Sequence, residues 1–130
     1  MANKIATDGP AGFNHTRTYV AQAALTRGFG VVQGTADNQA NTPAAAAARC
    51  LGVASENAAI GDATQIVTSG EAIAIAGGAV VAGDIVKMDA NGKFVAGNAA
   101  DVETAGKALT SAAADTDQFV IFVAPNQKRS

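Results

Sequence analysis

The chain has 130 residues, enough for one domain with a modest core, and its formal net charge of −2 excludes a strongly basic nucleic-acid or membrane-surface binder. Its hydrophobic fraction of 48% is largely alanine, with no Trp, one Tyr, five Phe and two Met. At ~25 cal/mol per Å² of apolar area, so few large side chains give a thin core, and such a chain is expected to gain stability from partners as well as from itself.

The charge is unevenly spread. Lys4, Arg17 and Arg27 against Asp8 give residues 1–27 a local +2, and Lys128 with Arg129 adds +2 at the tail. Between them, Arg49, Lys87, Lys93 and Lys107 face ten acids, a balance of −6 over residues 28–127. The single Cys50 excludes an internal disulfide and a thiolate metal cluster, and its strand-like surroundings predict a buried, inert thiol. The N-terminus lacks the apolar segment of a secretory leader, and no run approaches the ~18–20 apolar residues of a membrane span. The expectation is a soluble chain made in a cytoplasm.

In chain order, residues 1–18 carry neither helical nor strand periodicity. Gly9-Pro10 and Ala11-Gly12 punctuate them, which predicts an extended arm that lies on something. Tyr19–Leu25 fits a helical turn or a strand, and because Tyr19, Ala21, Ala23 and Leu25 share one face at period two it reads as a strand, with Phe29–Gln33 as another. Gly34–Asn41 is a loop on composition. Thr42-Pro43 before Ala44–Ala48 has the grammar of a helix start, but the run is too short to stand alone and reads as one turn or irregular chain.

From Cys50 the β grammar is regular. Strands are predicted at Cys50–Ala54, Thr64–Thr68, Glu71–Ala76, Gly106–Leu109 and Gln118–Val123, with turns at Ser69-Gly70 and Gly77-Gly78. The strongest local signal is Val80–Val95. There Asp84–Met88 leads through Asp89-Ala90-Asn91-Gly92 into Lys93-Phe94-Val95, a hairpin whose turn fits type I with Gly92 at positive φ or, nearly as well, a two-residue Asn91-Gly92 turn. A faint echo also runs through the chain. Gly52-Val53-Ala54 and Thr64–Thr68 lie over Gly106-Lys107-Ala108 and Gln118–Phe122 at an offset of 54, which predicts two similar hairpins flanking the central one. Short strands with Gly turns argue for an all-β domain, a small barrel or sandwich.

Catalytic chemistry is sparse. The only histidine, His15, falls in the arm, and no Gly-x-Ser-x-Gly elbow exists to meet it. Asp84, Asp89 and Asp101 lack the dense ladder of a calcium loop, and turn chemistry accounts for them. Neither Gly77-Gly78 nor Gly28-Phe29-Gly30 continues into a phosphate loop. Lys87-Met88 is similar to the modified lysine of biotinyl and lipoyl carriers, but it precedes the turn by two residues instead of sitting at its tip. No cofactor, metal or small-molecule substrate is expected.

One resemblance gathers these residues. Cys50-Leu51-Gly52-Val53-Ala54, Gly61-Asp62, Gly70, Gly83-Asp84-x-Val86, Asp89-x-Asn91-Gly92-Lys93 and Gly106-Lys107-Ala108 together resemble the capsid cement, or decoration, proteins of tailed bacteriophages. The likeness covers roughly residues 28–125 and rests on turn glycines and strand patterns. It implies a β-barrel or β-tulip-like domain without enzymatic activity, a homotrimer that binds the outer surface of the virion's capsid and clamps neighbouring major capsid subunits. The longer N-terminal segment and the Asn38–Ala48 insertion depart from the family pattern. The expected organisation is an arm over residues 1–27 and a single β domain over residues 28–130 ending in a short basic tail. The arm would contact capsid protein or a second copy through Ile5, Phe13 and Tyr19 as apolar anchors, with Lys4, Arg17 and Arg27 meeting acidic surface and His15 at the interface. Other readings are a tail-tube or head-completion protein, or a carrier domain modified on Lys87.

Overall fold

A computed structural model describes residues 15–44, 49–97 and 104–124, and within them the chain forms nine strands and no helix. They are β1 (His15–Ala21), β2 (Gly30–Gln33), β3 (Gln39–Asn41), β4 (Gly52–Ala54), β5 (Ala63–Ile75), β6 (Ile85–Met88), β7 (Phe94–Ala96), β8 (Gly106–Ala108) and β9 (Gln118–Val123). They hydrogen-bond in the order β1-β3-β2-β4-β5-β9-β8-β6-β7, and an additional β1–β5 pairing closes the first five into a small barrel. The all-β barrel expected from the turn glycines is what the chain forms.

Three expectations are corrected. The arm does not extend to residue 27, because from His15 the chain is β1, antiparallel to β5 and parallel to β3. Residues 39–41, read as loop, are β3: a short polar segment becomes a strand because both of its edges find partners, β1 and β2. Ser69-Gly70 is not a turn, since β5 runs through it for thirteen residues. Gly70 takes a left-handed φ of 102°, and two residues earlier Thr68 is the extra residue of a bulge, with His15 opposite Ser69 and Thr16 opposite Val67. The Thr68 hydroxyl donates to the His15 carbonyl at 3.2 Å. A bulge and a glycine bend and twist a strand without reversing it, so one backbone leaves the first barrel and enters the next. The Ala44–Ala48 segment lies largely outside the described residues.

The faint echo turns out to be a duplication of the whole topology. Val53 opposite Val67 and Ala54 opposite Ile66 recur as Lys107 opposite Phe122 and Ala108 opposite Ile121. Gly30 opposite Val53 recurs as Ile85 opposite Lys107, and Tyr19 opposite Thr64 as Ala74 opposite Phe119. The bridge between Leu25 and Ala58 returns as Val80 with Ala112. Thus β1, β2, β3, β4 and the first half of β5 make barrel 1. The second half of β5, with β6, β7, β8 and β9, makes barrel 2, closed by the parallel bridge between Ala76 and Phe94. The offset is 55 residues for most elements and 54 at β4 and β8, so the expectation of two flanking hairpins understated the repeat.

Each barrel holds its own core. Tyr19, Ala21, Leu25, Val31, Ala40, Ala54, Ala58 and Ile66 fill barrel 1. Val80, Val86, Met88, Phe94, Phe119, Ile121, Val123 and several alanines fill barrel 2, joined at the seam by Cys50, Val53 and Val67 from barrel 1. Five strands enclose a narrow space, so large side chains must alternate with small ones, and this is what the alanine richness supplies. The β6–β7 hairpin forms as expected. Gly92 N–H donates to the Asp89 carbonyl at 3.1 Å with Gly92 at φ 92°, while the Asp89 carboxylate accepts from Asn91 N–H at 2.8 Å and Lys93 N–H at 3.0 Å.

Candidate functional site

The expected contact residues that the structure describes do not share one patch. Lys4, Ile5 and Phe13 lie outside the described residues. His15 and Arg17 are exposed on β1. Tyr19 is only 5% exposed and belongs to the interior of barrel 1, which corrects its reading as an outward anchor: period two on β1 turns residues 19 and 21 inward. Arg27 is exposed past the other end of β1, in the turn where Phe29 N–H donates to the Thr26 carbonyl, with its own N–H bonded to Asn57 Oδ1 at 2.8 Å.

Arg17 has a local task. Its Nη2 donates to Asn38 Oδ1 at 2.9 Å, and its guanidinium stands 5.4 Å from the Tyr19 ring centroid, a cation–π distance. Asn38, at φ 63°, passes its carbonyl to Val20 N–H at 2.7 Å. Gln22 holds Thr35 in both directions, at 2.9 and 3.1 Å. Arg17 therefore lies over the mouth of barrel 1 and ties down the 34–38 loop. Beside it, β3 meets β1 only at Val20 and Ala21, so no described strand pairs with that edge of β1 over Thr16–Thr18. Such an edge is a template for an added strand.

Sequence reasoning missed a second surface. Outward-facing residues of barrel 2 align across three strands as Ile85, Lys107 and Phe122, each opposite the next. Ile85 and Phe122 are 41% and 44% exposed, and Leu109 beyond β8 is exposed as well. A signal was present in Gln118–Val123. Phe119, Ile121 and Val123 face inward, so a strand with solvent on its outer face has no structural need for Val120 and Phe122.

The polar groups are occupied with structure. Cys50 is buried, its thiol donates to the Gly52 carbonyl at 3.4 Å, and burial pushes its pKa up to about 12, so the reactive thiolate is suppressed. Asp62, Asp84 and Asp117 each accept backbone N–H groups of their own loops. Lys93 Nζ pairs with Asp115 at 2.9 Å; that hydrogen bond raises the lysine's pKa. Lys87 is half-buried within β6 opposite Val95, away from the turn where a carrier domain presents its lysine. Among the described residues no group of three or more His, Cys, Asp or Glu is placed to hold a metal ion.

No curated protein matches the chain. Among solved structures, it is similar to the crystal structure of the head fiber gp8.5 N base of bacteriophage phi29, with a TM-score of 0.68 at 18% identity over 86% of this chain and 95% of that one, a likeness of fold. A family model described as phage cement protein matches residues 11–124, from just before β1 to just past β9. With every strand of both barrels inside that match, the chain belongs to the phage cement protein family.

Proposed function

We propose that this phage virion structural protein decorates the outer surface of a capsid, after synthesis in the host bacterial cytoplasm, and clamps neighbouring major capsid subunits as a homotrimer. The observation that carries the reading is the family match over residues 11–124. The fold shared with a phage head-fibre base supports a place on the head. The role is structural and not enzymatic, in keeping with carboxylates that serve loop backbones and a thiol locked in the seam. The contact with the shell runs through residues 1–14 and the adjoining open edge of β1, where main-chain hydrogen bonds to a capsid strand need no deep pocket. His15 and Arg17 lie on β1 itself, Lys4, Ile5 and Phe13 precede it in sequence, and Arg27 adds a charge at the far end of the barrel. Many such contacts repeated over a shell retain the protein through multivalency.

The test is co-sedimentation of the purified chain with expanded capsids lacking it. Deleting residues 2–14 leaves every described strand in place, whereas a cut reaching residue 18 would remove His15–Thr18, more than half of β1. The shortened chain is expected to stay in the supernatant while retaining its β circular dichroism. Undiminished binding would overturn the assignment of the contact, and labelling of tails instead of shells in electron micrographs would overturn decoration itself.

A further inference from the structure

The duplicated topology gives each surface of barrel 1 a counterpart on barrel 2, and one such pair is treated in opposite ways. On barrel 1 the row Gly30, Val53, Val67 is covered: Val53 is 0% and Val67 5% exposed, and both join the cluster that includes the interior of barrel 2. The cover is the β6–β7 end of barrel 2. Gly30 N–H donates to the Gly92 carbonyl at 2.7 Å, and a Cβ on Gly30 would run into Met88 and Phe94. On barrel 2 the equivalent row is Ile85, Lys107, Phe122, and no described part of the chain covers it in this way: its two large apolar side chains are 41% and 44% exposed.

The end of barrel 1 that corresponds to the β6–β7 turn is the β2–β3 loop. It projects Thr35, Ala36, Asp37 and Asn38 into solvent and is held in shape by Arg17, Gln22 and Gln39. Its exposed carboxylate, Asp37, complements the exposed ammonium of Lys107 at the centre of the open row. Ile85 stands where barrel 1 has Gly30, so the open row cannot admit a backbone as closely as the internal seam does. It suits a loop that lays side chains between Ile85 and Phe122.

We infer that the Ile85–Lys107–Phe122 face of barrel 2 is the docking surface for a second copy of this chain, which seats its β2–β3 loop there and so repeats between copies the contact that joins the two barrels within one. The two patches differ, so the contact is heterologous, and copies join head to tail into a closed ring or an open string. Exposed apolar side chains with a charge between them are what such an interface requires: area from Ile85 and Phe122, register from Lys107.

The inference rests on the self-association proposed above, whose contact between copies it locates, and is tested in solution, without shells. Sedimentation velocity of the full chain over a concentration series is expected to show self-association, and Phe122→Glu to reduce it by at least about tenfold. Asp37→Lys and Lys107→Glu are each expected to weaken it by a similar factor. An equimolar mixture of those two variants restores it, because one junction between them is native and the other has the charges exchanged. Both charge variants alter exposed positions only, so a folding failure of Phe122→Glu leaves the mixing experiment standing. A wild-type chain that sediments as a single copy throughout, or a mixture no more associated than its components, overturns the inference. So does a single-copy chain whose Phe122→Glu variant loses binding to expanded capsids, since the face would then belong to the shell. Self-association without capsid binding would instead sink the decoration reading and leave this one intact.

Discussion

At Gly30 the two barrels approach closely, and Gly30→Ala tests that approach. The added methyl would meet Met88 and the tip of the Phe94 ring, the latter at 2.9 Å, and would strain the 2.7 Å hydrogen bond from Gly30 N–H to the Gly92 carbonyl. Overpacking a filled core by one methyl costs about 1–3 kcal/mol, while replacing glycine inside a strand returns about 0.5–1 kcal/mol of backbone entropy. The expected net loss is about 1–2 kcal/mol, a fall in melting temperature of about 4–8 °C for a chain of this size. Met88→Ala removes the side chain that the methyl strikes first. It destabilises by about 2–5 kcal/mol through its own cavity, but on that background Gly30→Ala should cost less than about 0.5 kcal/mol. The assay is a double-mutant cycle of urea unfolding curves, with a coupling of about 1 kcal/mol between positions 30 and 88 as the expected reading. Equal cost of Gly30→Ala on both backgrounds would refute the seam as the origin of the effect, and a gain in stability would refute the close approach itself.

Other predictions follow from the turns and the thiol. Thr116 holds φ 73° where its repeat counterpart is Gly61 at φ 90°. Thr116→Gly is therefore expected to raise stability by about 0.5–1 kcal/mol in thermal melts, the left-handed strain outweighing the glycine's entropy. Asp89→Ala leaves the N–H groups of Asn91 and Lys93 without their acceptor and should cost about 1–2 kcal/mol, whereas Asp115→Ala, which breaks only an exposed ion pair, should leave the melting temperature unchanged. Cys50 should resist Ellman's reagent until the chain is unfolded. Its pKa is raised by burial from 9.0 to about 12, so the unfolded chain loses that proton first. The stability tied to the neutral thiol is whole below pH 9 and is lost as pH rises from 9 to 12; Cys50→Ala should flatten that part of the alkaline decline in urea midpoints.

Features whose cause is local could be read from the residues alone. The Asp89–Gly92 turn and strand β9 depend on neighbours a few positions away, and pattern reasoning found both of them. Features with a distant cause were lost. Ser69-Gly70 looks like a turn until β1, β4 and β9 are present to hold β5 straight through it. Gln39–Asn41 has no strand character of its own and becomes β3 only between two partners. The duplication was half visible because Gly52-Val53-Ala54 returns as Gly106-Lys107-Ala108 and Ile66 as Ile121, whereas Thr116 replaces Gly61 and Tyr19 of one core is Ala74 of the other. The contact surfaces were least legible. Tyr19 and Phe122 are both aromatic residues on strands, and only the closed barrels tell which of them faces solvent.

Strand β5 makes one mechanical unit of the two barrels. Tandem domains are commonly strung on a pliable linker that takes up slack before any force is passed on. Here one strand of thirteen residues, at most about 43 Å of backbone and bent once at Thr68–Gly70, carries pull from one barrel to the other directly. A load along that axis shears the hydrogen bonds to β1 and β9 all at once instead of peeling them one by one. The molecule should behave as a short stiff strut that yields abruptly or not at all.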